Sequence, residues 1–144
     1  MKVGEFFTLD EFTVSQTATR RGIPNDPPED VIDSIQALCL KILDPLRRKL
    51  GKPIVINSGY RSPELNKAIG GAATSQHCKG EAADIICPGV QVSDLVKAIR
   101  EMDLPFDQLI DEFEDWTHVS YRPNGRREVL KARRVNGGVT YTKL

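Results

Sequence analysis

The sequence predicts an α+β fold, a small antiparallel sheet with helices packed on it. Three observations lead there. Apolar residues recur at helical spacing over Val31, Ile35, Leu38, Ile42, Leu46 and Leu50, and again over Val92, Leu95, Val96 and Ile99. Short runs with strand character stand apart from these helices, at 53–57, 81–87, 106–110 and 116–120. Near the end, Asn136-Gly137-Gly138 separates 128–135 from 139–143 in the manner of a hairpin turn.

In chain order, Thr8-Leu9-Asp10-Glu11-Phe12 reads as a short helical turn with Thr8 as its N-cap. Residues 15–26 are polar and read as loop. Asp26-Pro27-Pro28-Glu29 has the form of a capping box with proline in the first turn. The amphipathic helix behind it is expected to run unbroken to Gly51, kinked at Pro45, which lacks the amide that would bond to Lys41. The strand at 53–57 delivers Ser58-Gly59-Tyr60-Arg61 to its C-terminal end, where loops carry function. Ser62-Pro63-Glu64 caps a helix reaching about Ile69, which Gly70-Gly71 ends. The whole is expected to be one domain over 1–144, with 1–26 packing on it and 122–144 forming a basic C-terminal hairpin.

Bulk properties narrow the class. A chain of 144 residues is long enough for one domain with a real core and short for two. Twenty basic and twenty acidic residues balance, so no global field draws it to nucleic acid or membrane. The charge is uneven along the chain. Seven acids lie between Glu101 and Asp115, and seven bases follow from Arg122 onward against Glu128 alone. Such a run is more often a solvated face than a binding strip. Only Tyr121 and Tyr141 interleave the bases, which argues against single-stranded nucleic acid as a partner. Cys39, Cys78 and Cys87 form no CxxC pair and are odd in number, so no disulfide framework is expected. The first residues lack the apolar core of a signal peptide, and no stretch approaches membrane-spanning length. The expectation is a monomer, cytoplasmic as synthesised, reaching any wall substrate through a separate export or lysis system.

The chemistry concentrates in Ser75-Gln-His-Cys-Lys-Gly-Glu-Ala-Ala-Asp84. His77 precedes Asp84 by seven positions, and Gly80 allows a sharp turn between them. In a strand over 81–87, Ala82, Asp84 and Ile86 share a face. In the strand over 116–120, Trp116, His118 and Ser120 share one. If the two strands are neighbours, His118 points where Asp84 points. Two imidazoles and a carboxylate are a ligand set zinc accepts, with a fourth position for water. Calcium or magnesium would favour oxygen alone. A lone histidine in an apolar strand is about as often a satisfied core residue. Cys78 is read as a small filler beside the site.

The pattern Ser75-x-His77-x-x-Gly80-x-Ala82-x-Asp84, followed by Trp116-x-His118-x-Ser120, resembles the zinc-binding signature of the D-Ala-D-Ala carboxypeptidase family. That family also includes D,D-dipeptidases and phage endolysin peptidases. Ser58-Gly59-Tyr60-Arg61-Ser62-Pro63-Glu64-Leu65-Asn66 resembles its arginine segment, and the likeness extends from about Phe7 to Ser120. The resemblance implies a DD-peptidase-like (Hedgehog-like) fold and Zn2+ held by His77, Asp84 and His118. It further implies hydrolysis of peptidoglycan stem peptides, as a D,D-carboxypeptidase or an endolysin-type endopeptidase of phage or prophage kind. The family's general base lies three residues before the second histidine, at Asp115 here, with Glu114 beside it as an alternative. Arg61 would meet negative charge on the substrate, and Ser75, Tyr60 and Trp116 would contact it. The competing reading is a cell-wall-binding module that keeps the metal without efficient hydrolysis.

Overall fold

The structure, a computed structural model, describes residues 1–144. Its centre is a six-stranded open sheet in the order β1-β2-β4-β3-β5-β6. The strands are β1 (Val55–Ser58), β2 (Ala82–Ile86), β3 (Gln108–Glu112), β4 (Trp116–Ser120), β5 (Glu128–Val135) and β6 (Gly138–Lys143). The helices are α1 (Leu9–Thr13), α2 (Gln16–Arg21), α3 (Glu29–Leu38), α4 (Asp44–Leu50), α5 (Pro63–Ala68) and α6 (Val92–Glu101). No helix is long and apolar enough to cross a membrane.

The sheet is mixed rather than antiparallel throughout, because β3 and β5 run parallel. The reason lies in one short link. β4 runs back along β3, so the chain leaves Ser120 beside the start of β3. The segment 121–127 then passes around that end, and β5 begins on the other side of β3 with Glu128 opposite Gln108. Asp107 sits at the crossing: its N–H donates to Ser120 (2.8 Å) and its carbonyl accepts from Glu128 (3.0 Å).

Three expectations about helices are corrected. Residues 15–26 contain α2, which Ser15 caps by accepting the Ala18 N–H at 3.2 Å and Gly22 ends at φ 64°. The long helix to Gly51 is interrupted before Pro45 by a π turn, Cys39–Leu43, in which the Asp44 N–H donates to Cys39. Pro45 cannot donate to Lys41 and its ring crowds that carbonyl, and the wider turn accommodates both. Leu38, Cys39, Ile42, Leu43 and Leu46 are all completely buried across it. Asp26 caps nothing; α3 starts after Pro28, with Glu29 and Asp30 in its first turn.

One face of the sheet makes the core. Ala83, Ile85, Leu109 and Val119 join α3, the π turn, α4 and α6 in a single apolar cluster, which also takes in Val3, Phe7 and Phe12. The N-terminal segment is tied down by Asp44, itself buried, whose carboxylate accepts the N–H groups of Glu5 (2.9 Å) and Phe6 (3.3 Å). The other face is free to carry polar chemistry.

Candidate active site

The register of the sheet assembles the free face. Ser58 stands opposite Asp84, Asp84 opposite His118, and His118 opposite Ile110. Side chains at paired positions lie on one side, so Asp84 and His118 are neighbours on the surface that Ala83 and Val119 turn away from.

His77 reaches them from outside the sheet. It belongs to a 3-10 turn, Gln76–Lys79, opened by Ser75, whose Oγ accepts the His77 N–H at 3.2 Å. Gly80 closes that turn at φ 72°, and a Cβ there would lie 2.6 Å from the Val31 carbonyl oxygen. Only glycine fits both the conformation and the space.

The three side chains converge. His77 Nε2 lies 3.3 Å from Asp84 Oδ1, and His118 Nδ1 lies 3.0 Å from the same oxygen. One ligand atom from each residue falls within 4.8 Å of the others. The Nδ1–H of His77 donates to the Gly59 carbonyl at 2.7 Å, which turns Nε2 toward Asp84. Burial pushes the Asp84 carboxyl up, but hydrogen bonds to His118 and His77 and their charges outweigh it and hold it well below the usual carboxylate range. Two nitrogens and an ionised carboxylate oxygen, with one ring already fixed by a carbonyl, fit a divalent ion of zinc's type. Cys78 is outside this group, and Cys39 and Cys87 are buried free thiols.

The group opens into a cleft of about 960 Å³, whose lining includes Arg61, Glu112, Trp116, Arg122, Arg126 and Tyr141. Arg61 is half-buried and donates from Nη1 to Asn66 Oδ1 at 3.2 Å, while its Nε has no partner. Burial lowers its pKa, against the raising effect of Asp84 and Cys78. Trp116 packs edge-to-face on Phe113 at 5.8 Å. Ser75 lines the cleft. Tyr60 does not: it is buried in the core cluster, with its carbonyl accepting from Asn25 Nδ2.

The acids from 111 to 115 part company. Phe113 and Glu114 both have positive φ, 61° and 62°, and form the tight link between β3 and β4. Asp115 follows that link with its side chain 58% exposed, 3.7 Å from Arg134, and it does not line the cleft. Glu114 bonds Lys131 at 2.9 Å on the exterior. Glu112 is the acid that enters the cleft. Burial raises its pKa first of all; His118 opposes, and the charges of Asp84 and Asp111 add to the rise. The signal for it was present in the alternation of Gln108, Ile110 and Glu112, since β3 extends two residues past the expected end at Ile110.

Comparison with known proteins agrees with this arrangement. The family model Peptidase M15 matches residues 5–120. The zinc D-Ala-D-Ala carboxypeptidase of Streptomyces albus G is 46% identical over 44 residues, which take in 30% of this chain and only 17% of that protein. All three converging side chains, Arg61 and Glu112 fall within the matched 5–120, and with most of its length matched the chain belongs to the peptidase M15 family.

Proposed function

We propose that the protein is a zinc-dependent peptidase that hydrolyses peptide bonds of peptidoglycan on a DD-peptidase-like fold. The observation that carries this reading is the convergence of His77, Asp84 and His118 at an open cleft shared with a half-buried acid, Glu112, and a half-buried arginine, Arg61. The name of the Streptomyces relative supports zinc and a D-alanyl peptide as the kind of substrate. Zinc bound by these residues would supply Lewis acidity and lower the pKa of a coordinated water toward neutrality.

The chain's own groups do the rest. Glu112 takes a proton from the attacking water and returns it to the leaving amine. Its support is position in the cleft and a carboxyl raised by burial, which suits a group that must both accept and donate. Asp115, exposed beside Arg134, is less well placed for that step. Arg61 presents an unpartnered Nε in a desolvated setting, where a guanidinium best opposes negative charge developing on the substrate. Ser75 fixes His77, and Trp116 walls the cleft.

Mass spectrometry of muropeptides incubated with the zinc-loaded protein tests the reading. Loss of a terminal alanine identifies a carboxypeptidase, and cleavage within the stem or bridge identifies a lysin-type endopeptidase. An unchanged muropeptide profile, with zinc bound, rejects hydrolysis and favours a wall-binding module.

A further inference from the structure

The same cleft holds a second polar cluster, whose arginines lie beyond the matched residues 5–120. At its centre is Asp107, which is 0% exposed. Its carboxylate accepts from the Arg126 backbone N–H (2.8 Å), Arg126 Nε (3.1 Å), Arg126 Nη2 (2.9 Å) and Gln76 Nε2 (3.0 Å), and Arg122 Nε lies 3.2 Å away. Its backbone is pinned between β4 and β5. Asn124 at φ 58° and Gly125 make the bend that brings the Arg126 amide in, and a Cβ on Gly125 would lie 2.7 Å from Asp107 Cα.

A buried carboxylate with so many donors is a holder rather than a reactant. What it holds are two guanidinium groups that both line the cleft, 43% and 50% exposed. Arg122 keeps both Nη groups without a partner in the chain, and Arg126 Nη1 has only Glu128 at 3.8 Å. With Arg61 and Lys79, the lining carries four cationic side chains against the carboxylates of Asp84 and Glu112. Arginines scattered on a solvated surface would not share a fully buried counter-ion that also ties down Gln76, next to His77.

We propose that Arg122 and Arg126 form a carboxylate-binding subsite of the cleft, held in shape by Asp107, that takes an anionic group of the peptide substrate. It rests on the peptidase reading for the source of its ligand. A planar fork with free N–H groups matches a carboxylate in two-point fashion. Two carboxylates of a stem peptide qualify: the C-terminal one and the α-carboxylate of its isoglutamate.

The test is calorimetric titration with L-Ala-D-isoGlu-L-Lys-D-Ala, and with its two singly amidated forms, with and without zinc. Amidation of one of the two carboxylates is expected to weaken binding to the wild type by about tenfold, and the carboxylate affected names the source. Arg122→Gln, which leaves every Arg126–Asp107 bond in place, should erase that difference. Arg48→Gln, the same charge change at an exposed residue that pairs with Glu5, should preserve it. Equal binding of all three peptides, no binding of any, a preference that persists in Arg122→Gln, or one that vanishes when zinc is chelated overturns the subsite. A preference present while the muropeptides stay intact retains the subsite and removes the hydrolase.

Discussion

The Nδ1 atom of His77 lies 2.7 Å from the carbonyl oxygen of Gly59. That contact decides which ring nitrogen faces Asp84, and it depends on a close approach elsewhere. A Cβ on Gly59 would come within 2.7 Å of the Phe12 backbone, while the next amide, Tyr60 N–H, donates to Phe12 at 2.6 Å. Gly59→Ala must therefore displace the carbonyl that orients the imidazole. Loss of such a supporting hydrogen bond weakens metal binding by about 10- to 100-fold. Chelator competition should show that loss in Gly59→Ala, with all three donor residues intact.

Glu112 and Asp115 make opposite predictions for the proton-transfer step. Glu112→Gln should retain zinc and lower kcat by roughly 10²- to 10⁴-fold. Asp115→Asn, altering an exposed carboxylate 3.7 Å from Arg134, should leave kcat within about twofold of wild type, since exposed ion pairs are worth little. Steady-state kinetics on one peptide substrate, with zinc content measured for each variant, compares them. Should Asp115→Asn be the inactive one, the base belongs on the β3–β4 link.

Asp107 predicts a pH-dependent stability. Burial alone would raise its carboxyl, but the hydrogen bonds of Arg126 and the charges of Arg126 and Arg122 hold it well below the usual range. A depressed folded-state pKa adds stability above the unfolded value, near pH 4, and that contribution fades as the pH falls toward the folded one. Asp107→Asn should therefore destabilise the fold by about 2–3 kcal/mol at neutral pH, less than breaking a fully buried pair because its arginines are half-exposed. The gap between variant and wild type should narrow below about pH 4. Urea denaturation at pH 7 and pH 3 measures both values. A gap independent of pH would remove the ion pair as its cause.

The convergence of His77, Asp84 and His118 was legible in the sequence because its logic is local. A two-residue period places Asp84 with Ala82 and His118 with Trp116, and a glycine turn brings His77 round. What could not be read is what depends on pairing between distant strands. The parallel partnership of β3 and β5 leaves no mark in either strand's own pattern, and it is what places Asp107 between Ser120 and Glu128. In the sequence Asp107 is one acid in a run of seven and Arg122 one base in another. The π turn before Pro45 is hidden from the sequence for a different reason: the apolar positions on both sides fit a continuous helix, and only backbone sterics shift the phase.

Metal removal provides the most direct check on the centre itself. Two imidazoles and a carboxylate are drawn together out of water, and an ion that binds only the folded chain stabilises it by mass action. Zinc at a hundred times its Kd should raise the unfolding free energy by about 2.7 kcal/mol. For a chain of this length that is on the order of 5–10 °C in Tm. EDTA should reverse the shift and abolish peptide hydrolysis, and added zinc should restore both. His118→Ala removes one of three donors and the hydrogen bond to Asp84 Oδ1, so its Tm should no longer respond to zinc. A His118→Ala protein whose Tm still rises with zinc to the wild-type extent would place the ion elsewhere in the chain.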